Sequence, residues 1–99
     1  MKTVIILPHA EDDILGIWHY SLSTWGLEQA VKYDEDIQRR IESLAHGQSV
    51  SRSAEDVVAG LRRTIVGQHV VFFREDAEWV TVVRVLHQRM DVGRVWDFG

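Results

Sequence analysis

Cysteine is absent from this 99-residue chain, so neither a disulfide nor a cysteine-based zinc site can form. That fits a reducing compartment. A basic excess is lacking as well. Eleven Lys and Arg stand against 15 Asp and Glu, a formal net charge of −4, and the footprint of a direct nucleic-acid binder is missing. The apolar start at residues 4–7 is stopped by Pro8 and then by Glu11, Asp12 and Asp13. It is too short for a signal sequence and far too short for a membrane span. No G-x-S-x-G, Walker-type or G-x-G-x-x-G pattern occurs. None of the five histidines (His9, His19, His46, His69, His87) lies three or four residues from another, so no helical pair of metal ligands exists. The expectation is a cytoplasmic protein of one domain, residues 1–99, with no metal, cofactor, membrane or direct nucleic-acid contact.

What is present is an ordinary globular composition, 45% hydrophobic and 26% charged, with four tryptophans. Tryptophan is enriched at partner surfaces as well as in cores. Residues 2–7 read as a short strand. Pro8 suits the first turn of a helix, and Glu11, Asp12 and Asp13 favour its positive end. Ile14, Leu15, Trp18, Leu22 and Trp25 follow a 3.6-residue period, which predicts an amphipathic helix over 9–25, ended by Gly26. A second helix is predicted over 27–45. Its apolar positions are Leu27, Ala30, Val31, Ile37, Ile41, Leu44 and Ala45, and it carries Glu28–Lys32, Glu35–Arg39 and Asp36–Arg40 pairs. The short link makes the two an antiparallel hairpin. Residues 47–56 read as loop. Strands are predicted over 57–66, 69–74 and 79–87, the first two joined by a Gly67-Gln68 turn with glycine first, as type II′ requires.

Closing the hairpins at Gly67-Gln68 and at residues 75–78 sets Val66 opposite His69 and Arg74 opposite Trp79. Arg62, His69 and Arg84 then share one sheet face, where they could bind phosphate and move a proton, as a metal-free ribonuclease needs. Strand arginines also serve as solvated residues or anchors for acidic partners. Both sheet faces carry large apolar groups, and one helical hairpin can cover only one of them. The other face either meets a second chain or is closed by residues 47–56 or 92–99.

The order strand, helix hairpin, three strands, short tail resembles the RelE/ParE toxin superfamily. Trp25-Gly26, Gln29-Ala30 and Tyr33 look like the W-G-x-x-Q-A-x-x-Y helix junction of ParE toxins. Gly60-Leu61-Arg62 resembles their G-x-R strand. Gly67-Gln68-His69 with Val71-Phe72-Phe73-Arg74 is similar to their G-x-H-x-x-F-Y-R hairpin, with Phe73 where tyrosine is common. Arg84-Val85-Leu86-His87 and Met90-Asp91 look like the closing R-V-L-H-x-x-M-D. The resemblance implies a non-enzymatic toxin of a type II toxin–antitoxin system, with no catalytic residue, that inhibits DNA gyrase. It implies neutralisation by a ParD-like antitoxin of the ribbon-helix-helix type, held in a hetero-oligomer. The alternatives are a RelE-like ribosome-dependent mRNA endonuclease or an inactive antitoxin-binding module. RelE-type enzymes use strand lysines and a tyrosine in the C-terminal segment. Here the only lysines are Lys2 and Lys32 and the only tyrosines Tyr20 and Tyr33, all outside those places.

The fold expected is α+β in two layers: an antiparallel sheet, β-α-α-β-β-β, with the helical hairpin on one face. By the resemblance, the first strand pairs with the last, giving the order first–fourth–third–second. Gyrase contact is assigned to Arg89, Met90, Asp91, Arg94 and Trp96, with packing of Met90 and Trp96 back onto the sheet as the alternative. Antitoxin contact is assigned to Trp18, Leu22, Arg62 and Phe73.

Overall fold

A computed structural model describes residues 1–48, 50–90, 92 and 96. The elements are β1 (Thr3–Ile6), α1 (Pro8–Trp25), α2 (Leu27–Ala45), β2 (Arg52–Ser53), β3 (Arg62–Val66), β4 (His69–Glu75) and β5 (Trp79–His87). Pro8 opens α1, where its missing N–H leaves nothing unpaired. Gly26, at φ +90°, breaks the chain between the helices. No described helix is long and apolar enough to cross a membrane.

The sheet runs β1-β5-β4-β3-β2. The first strand does lie beside the last, and the middle strands follow outward. Two features differ from the expectation. The predicted loop contributes a short edge strand, β2, while Val57–Gly60 forms a turn and not the start of β3. The sheet is also mixed, because β1 pairs with β5 in parallel. The cause is the length of the helical hairpin. It returns the chain to the end of the sheet where β1 began, with Lys2 N–H donating to Ala45 O at 3.0 Å. A three-strand meander started from that end must bring β5 round in the direction of β1.

The β3–β4 register is as predicted, Val66 opposite His69 and Arg62 opposite Phe73. Gly67, at φ +56°, supplies the backbone that a β-branched or bulky residue would strain to adopt. The next hairpin differs. Asp76 caps its own turn, its Oδ1 accepting the N–H groups of Glu78 and Trp79 at 2.8 and 2.9 Å. Those bonds hold its carboxyl below the usual range. Arg74 therefore faces Thr81 rather than Trp79, and a bulge at Phe72/Phe73 shifts the register again. His69 ends up opposite His87, not Arg84.

Both faces of the sheet are covered. On one, α1 and α2 bury Ala10, Ile37 and Ile41 against Val66, Val71, Val82 and Val85. Phe73 packs with Leu44 and Val80. On the other, Ala54, Leu61, Phe72 and Leu86 form a second core, closed by Val57, Val58, Val92 and Trp96. Phe72 keeps only 1% of its surface exposed. The centre of the sheet face that the helices leave is thus closed by the chain itself, while Ile5, Ile65 and Trp79 toward its edges stay partly exposed. Of the two outcomes left open by the sequence, closure by the loop and the tail is the one realised.

Candidate functional site

Helix α1 is apolar on more than one side. Adjacent apolar pairs, Ile14-Leu15 and Ile17-Trp18, cannot both face inward, because neighbours on a helix point about 100° apart. Ala10, Ile14 and Ile17 turn to the sheet. Leu15, half-buried Trp18 and Leu22 turn outward, with Leu15 54% exposed. Exposed Leu27 and Val31 extend the apolar surface onto α2. A groove of about 390 Å³ lies along this flank, between Glu11, Ile14, Leu15, Trp18 and Asp34. The predicted one-face stripe of Ile14, Leu15, Trp18, Leu22 and Trp25 is therefore split. Among the described residues, unshielded apolar surface thus lies on the helices as well as at Ile5, Ile65 and Trp79 of the sheet.

The inward side of α1 also carries Asp13, which does structural work. Beyond Val82 the strand β1 has left the edge of β5. Asp13 fills the gap: Oδ2 accepts Val85 N–H at 2.9 Å and Arg84 Nε at 2.8 Å, and Oδ1 accepts Arg84 Nη2 at 2.9 Å. The two charges are mostly buried. The hydrogen bonds that Arg84 donates to Asp13 hold its guanidinium above its ordinary range.

At the far end of α1 an aromatic and histidine cluster joins both helices to the sheet. Tyr33 Oη accepts Gln68 N–H at 3.1 Å, donates to Val66 O at 3.0 Å and lies 2.6 Å from His69 Nδ1. With Nδ1–H on His69 donating, every group in this knot is satisfied. Burial pushes the Tyr33 phenol above its usual range. Gly67 has a second reason here, since a Cβ would come within 2.6 Å of the Tyr33 ring. His69 meets His87 edge-on, ring centroids 5.3 Å apart, and His87 Nδ1 accepts Arg89 N–H at 3.1 Å.

Burial, and then the neighbouring His87, push the His69 imidazole below its ordinary value. The unfolded chain takes up that proton near pH 6.5, whereas the folded chain takes it up only at lower pH. Stability is thus fully present above about pH 6.5 and falls as the pH drops through that value toward the depressed one. Urea midpoints measured between about pH 7.5 and 5.5 are expected to fall, and His69→Gln is expected to flatten the slope. A slope unchanged in that variant would remove His69 as its source.

The residues assigned from sequence are dispersed. Trp18 and Leu22 lie on the outer flank of α1. Arg62 is half-buried at the β2–β3 side, donating to Ser51 Oγ at 3.1 and 3.0 Å and lying 3.9 Å from Glu75. Phe73 is inside the helix-side core and cannot touch a partner, because the β3–β4 register that fixes Arg62 opposite it turns its ring onto Leu44 and Val80. In the tail, Arg89 and Met90 are exposed. Trp96 packs edge-on against Phe72 at 5.1 Å, so the exposed placement is replaced by the packed alternative. Asp91 and Arg94 lie outside the described residues. Arg62, His69 and Arg84 do not assemble: one serves Ser51, one Tyr33 and one Asp13. Sequence reasoning missed Leu15, Tyr20, Trp25 and Val31 as surface residues; of these, the adjacent pair Ile14-Leu15 carried the signal for Leu15 alone.

The chain resembles known proteins over nearly its full length. A family model described as ParE toxin of type II toxin-antitoxin system, parDE, matches residues 4–92. Toxin ParE1 of Caulobacter vibrioides is 40% identical over 91 residues, covering 92% of this chain and 94% of that protein. Toxin ParE1 of Mycobacterium tuberculosis is 35% identical over 91 residues, 91% of this chain and 93% of that one. In three dimensions the fold matches a chain from the chromosomal ParDE toxin–antitoxin system of P. aeruginosa, with a TM-score of 0.75 and 22% identity. That match covers 88% of this chain and 96% of the other.

Proposed function

Since this chain belongs to the family of ParE toxins of type II toxin–antitoxin systems, we propose that it acts by inhibiting DNA gyrase and that a ParD-like antitoxin holds it inactive. The observation that carries the partner reading is the outward stripe of Leu15, Trp18 and Leu22 beside Val31, on helices whose inner faces are already packed. A soluble globule seldom leaves such a stripe without an occupant. An amphipathic antitoxin helix laid along this flank would bury it in the manner of a helix in a groove. Exposed Arg89 and Met90 remain the candidates for contact with gyrase, together with Asp91 and Arg94.

The action is non-catalytic in this reading. The cation and proton-transfer groups that a metal-free ribonuclease would need on one sheet face each have a separate structural partner. That face's opposite side is covered by Leu61, Val58 and Trp96. A plasmid supercoiling assay with purified gyrase tests the proposal. Supercoiling is expected to stop on addition of the chain and to resume on addition of the antitoxin, with ribosome-bound message left intact. Message cleavage with intact supercoiling would instead establish the ribonuclease.

A further inference from the structure

The opposite flank of α1 holds a feature that neither the core nor the outward stripe uses. Asp12, Gly16 and Tyr20 recur at four-residue spacing, so they form one line along the helix. That line faces a trough of about 370 Å³, closed on the other side by Trp25, His87 and Met90. It continues into a second groove of about 700 Å³ past Gln29 and Tyr33, the two sharing Trp25 and Gln68.

Gly16 sits in the middle of an 18-residue helix, where glycine is less stable than alanine. Nothing inside the fold asks for it: a Cβ there would meet no heavy atom within 4 Å. What its missing side chain does is leave the floor of the trough open. Above that floor stand Tyr20 and Trp25, with ring centroids 5.8 Å apart and planes at 89°, the two walls of an aromatic corner. Both are well exposed, Tyr20 at 61% and Trp25 at 48%. The Asp12 carboxylate forms no ion pair or side-chain hydrogen bond among the described residues. The nearby guanidinium of Arg84 is already taken by Asp13.

An unpaired carboxylate toward one end of the trough and, two or more helical turns further on, an exposed aromatic corner are together complementary to a polypeptide segment whose basic side chain meets the acid while a neighbouring part of the segment lies against the rings. The combined groove is too long for a lone small cation and suits a stretch of polypeptide. We propose that this trough takes an arginine or lysine side chain carried on an extended segment of the antitoxin, which would then straddle α1 and touch both of its flanks. This rests on the antitoxin reading above.

Calorimetric titration of the full-length cognate antitoxin into the refolded toxin tests it. Gly16→Ala is expected to raise the thermal midpoint of the free toxin, since helix propensity improves, while weakening antitoxin binding by a few-fold. Gly16→Leu and Asp12→Lys are each expected to weaken binding about tenfold or more. Gly16→Leu and Gly16→Ala variants that fold and bind within about twofold of the wild type would overturn the trough as a site. Loss with Gly16→Leu but not with Asp12→Lys would overturn the basic occupant. Failure of the wild-type toxin to bind at all would remove the antitoxin reading itself, a result distinct from either.

Discussion

Replacing Phe72 with alanine is expected to cost about 4 kcal/mol, the middle of the range for losing a fully buried phenyl ring. The ring lies in the second core with Ala54, Leu61 and Leu86, under the edge of Trp96. The cover over it is a turn and a tail, so the cavity left behind can be filled only by moving segments that are themselves held by this ring. Urea unfolding should show the loss, together with a fall in thermal midpoint of roughly 20 °C. A dye that reports exposed apolar surface should bind the variant more strongly than the wild type. A cost under about 2 kcal/mol would mean that turn and tail do not pack tightly on the sheet.

Asp13→Ala is expected to cost about 3 kcal/mol, since breaking a mostly buried ion pair leaves the Arg84 charge without its partner and the Val85 N–H without its acceptor. Three hydrogen bonds converge on this one carboxylate. A pair of controls separates charge from capping. Asp13→Asn keeps an oxygen for Val85 and should cost less than alanine. Asp13→Ala with Arg84→Met removes the orphaned charge and should recover part of the loss. Chemical denaturation of the wild type, Asp13→Ala, Arg84→Met and the double variant gives the coupling directly. Additive losses in that cycle would show that the two residues act independently. Because Asp13 anchors α1 to β5, its loss should also weaken the proposed antitoxin binding.

Sequence patterning locates excess apolar character but not the layer that carries it. Val71, Phe72 and Phe73 are three successive buried residues of β4. Neighbours in a strand point to opposite faces, so a run of this kind demands cover on both sides. The helical hairpin covers one, and Leu61, Val58, Val92 and Trp96 cover the other. Part of the surplus is left on α1, where adjacent apolar pairs cannot be satisfied by a single inward face.

Local chemistry fixed much of this protein before any long-range contact was known. Pro8, Gly26 and Gly67 are read from backbone rules, and they set the start of α1, the break between helices and the first hairpin register. The closing motifs marked the family, which the comparisons bear out. Three things were decided only by the tertiary structure. The direction of β5 relative to β1 depends on where two helices return the chain. The β4–β5 register depends on Asp76 capping a turn and on a bulge at Phe72/Phe73. The placement of Arg84 follows from that register, and the partners that keep Arg62, His69 and Arg84 apart, Ser51, Tyr33 and Asp13, come from other segments. A side chain's role follows from its nearest neighbours in space, and a spacing rule reaches only the nearest neighbours along the chain.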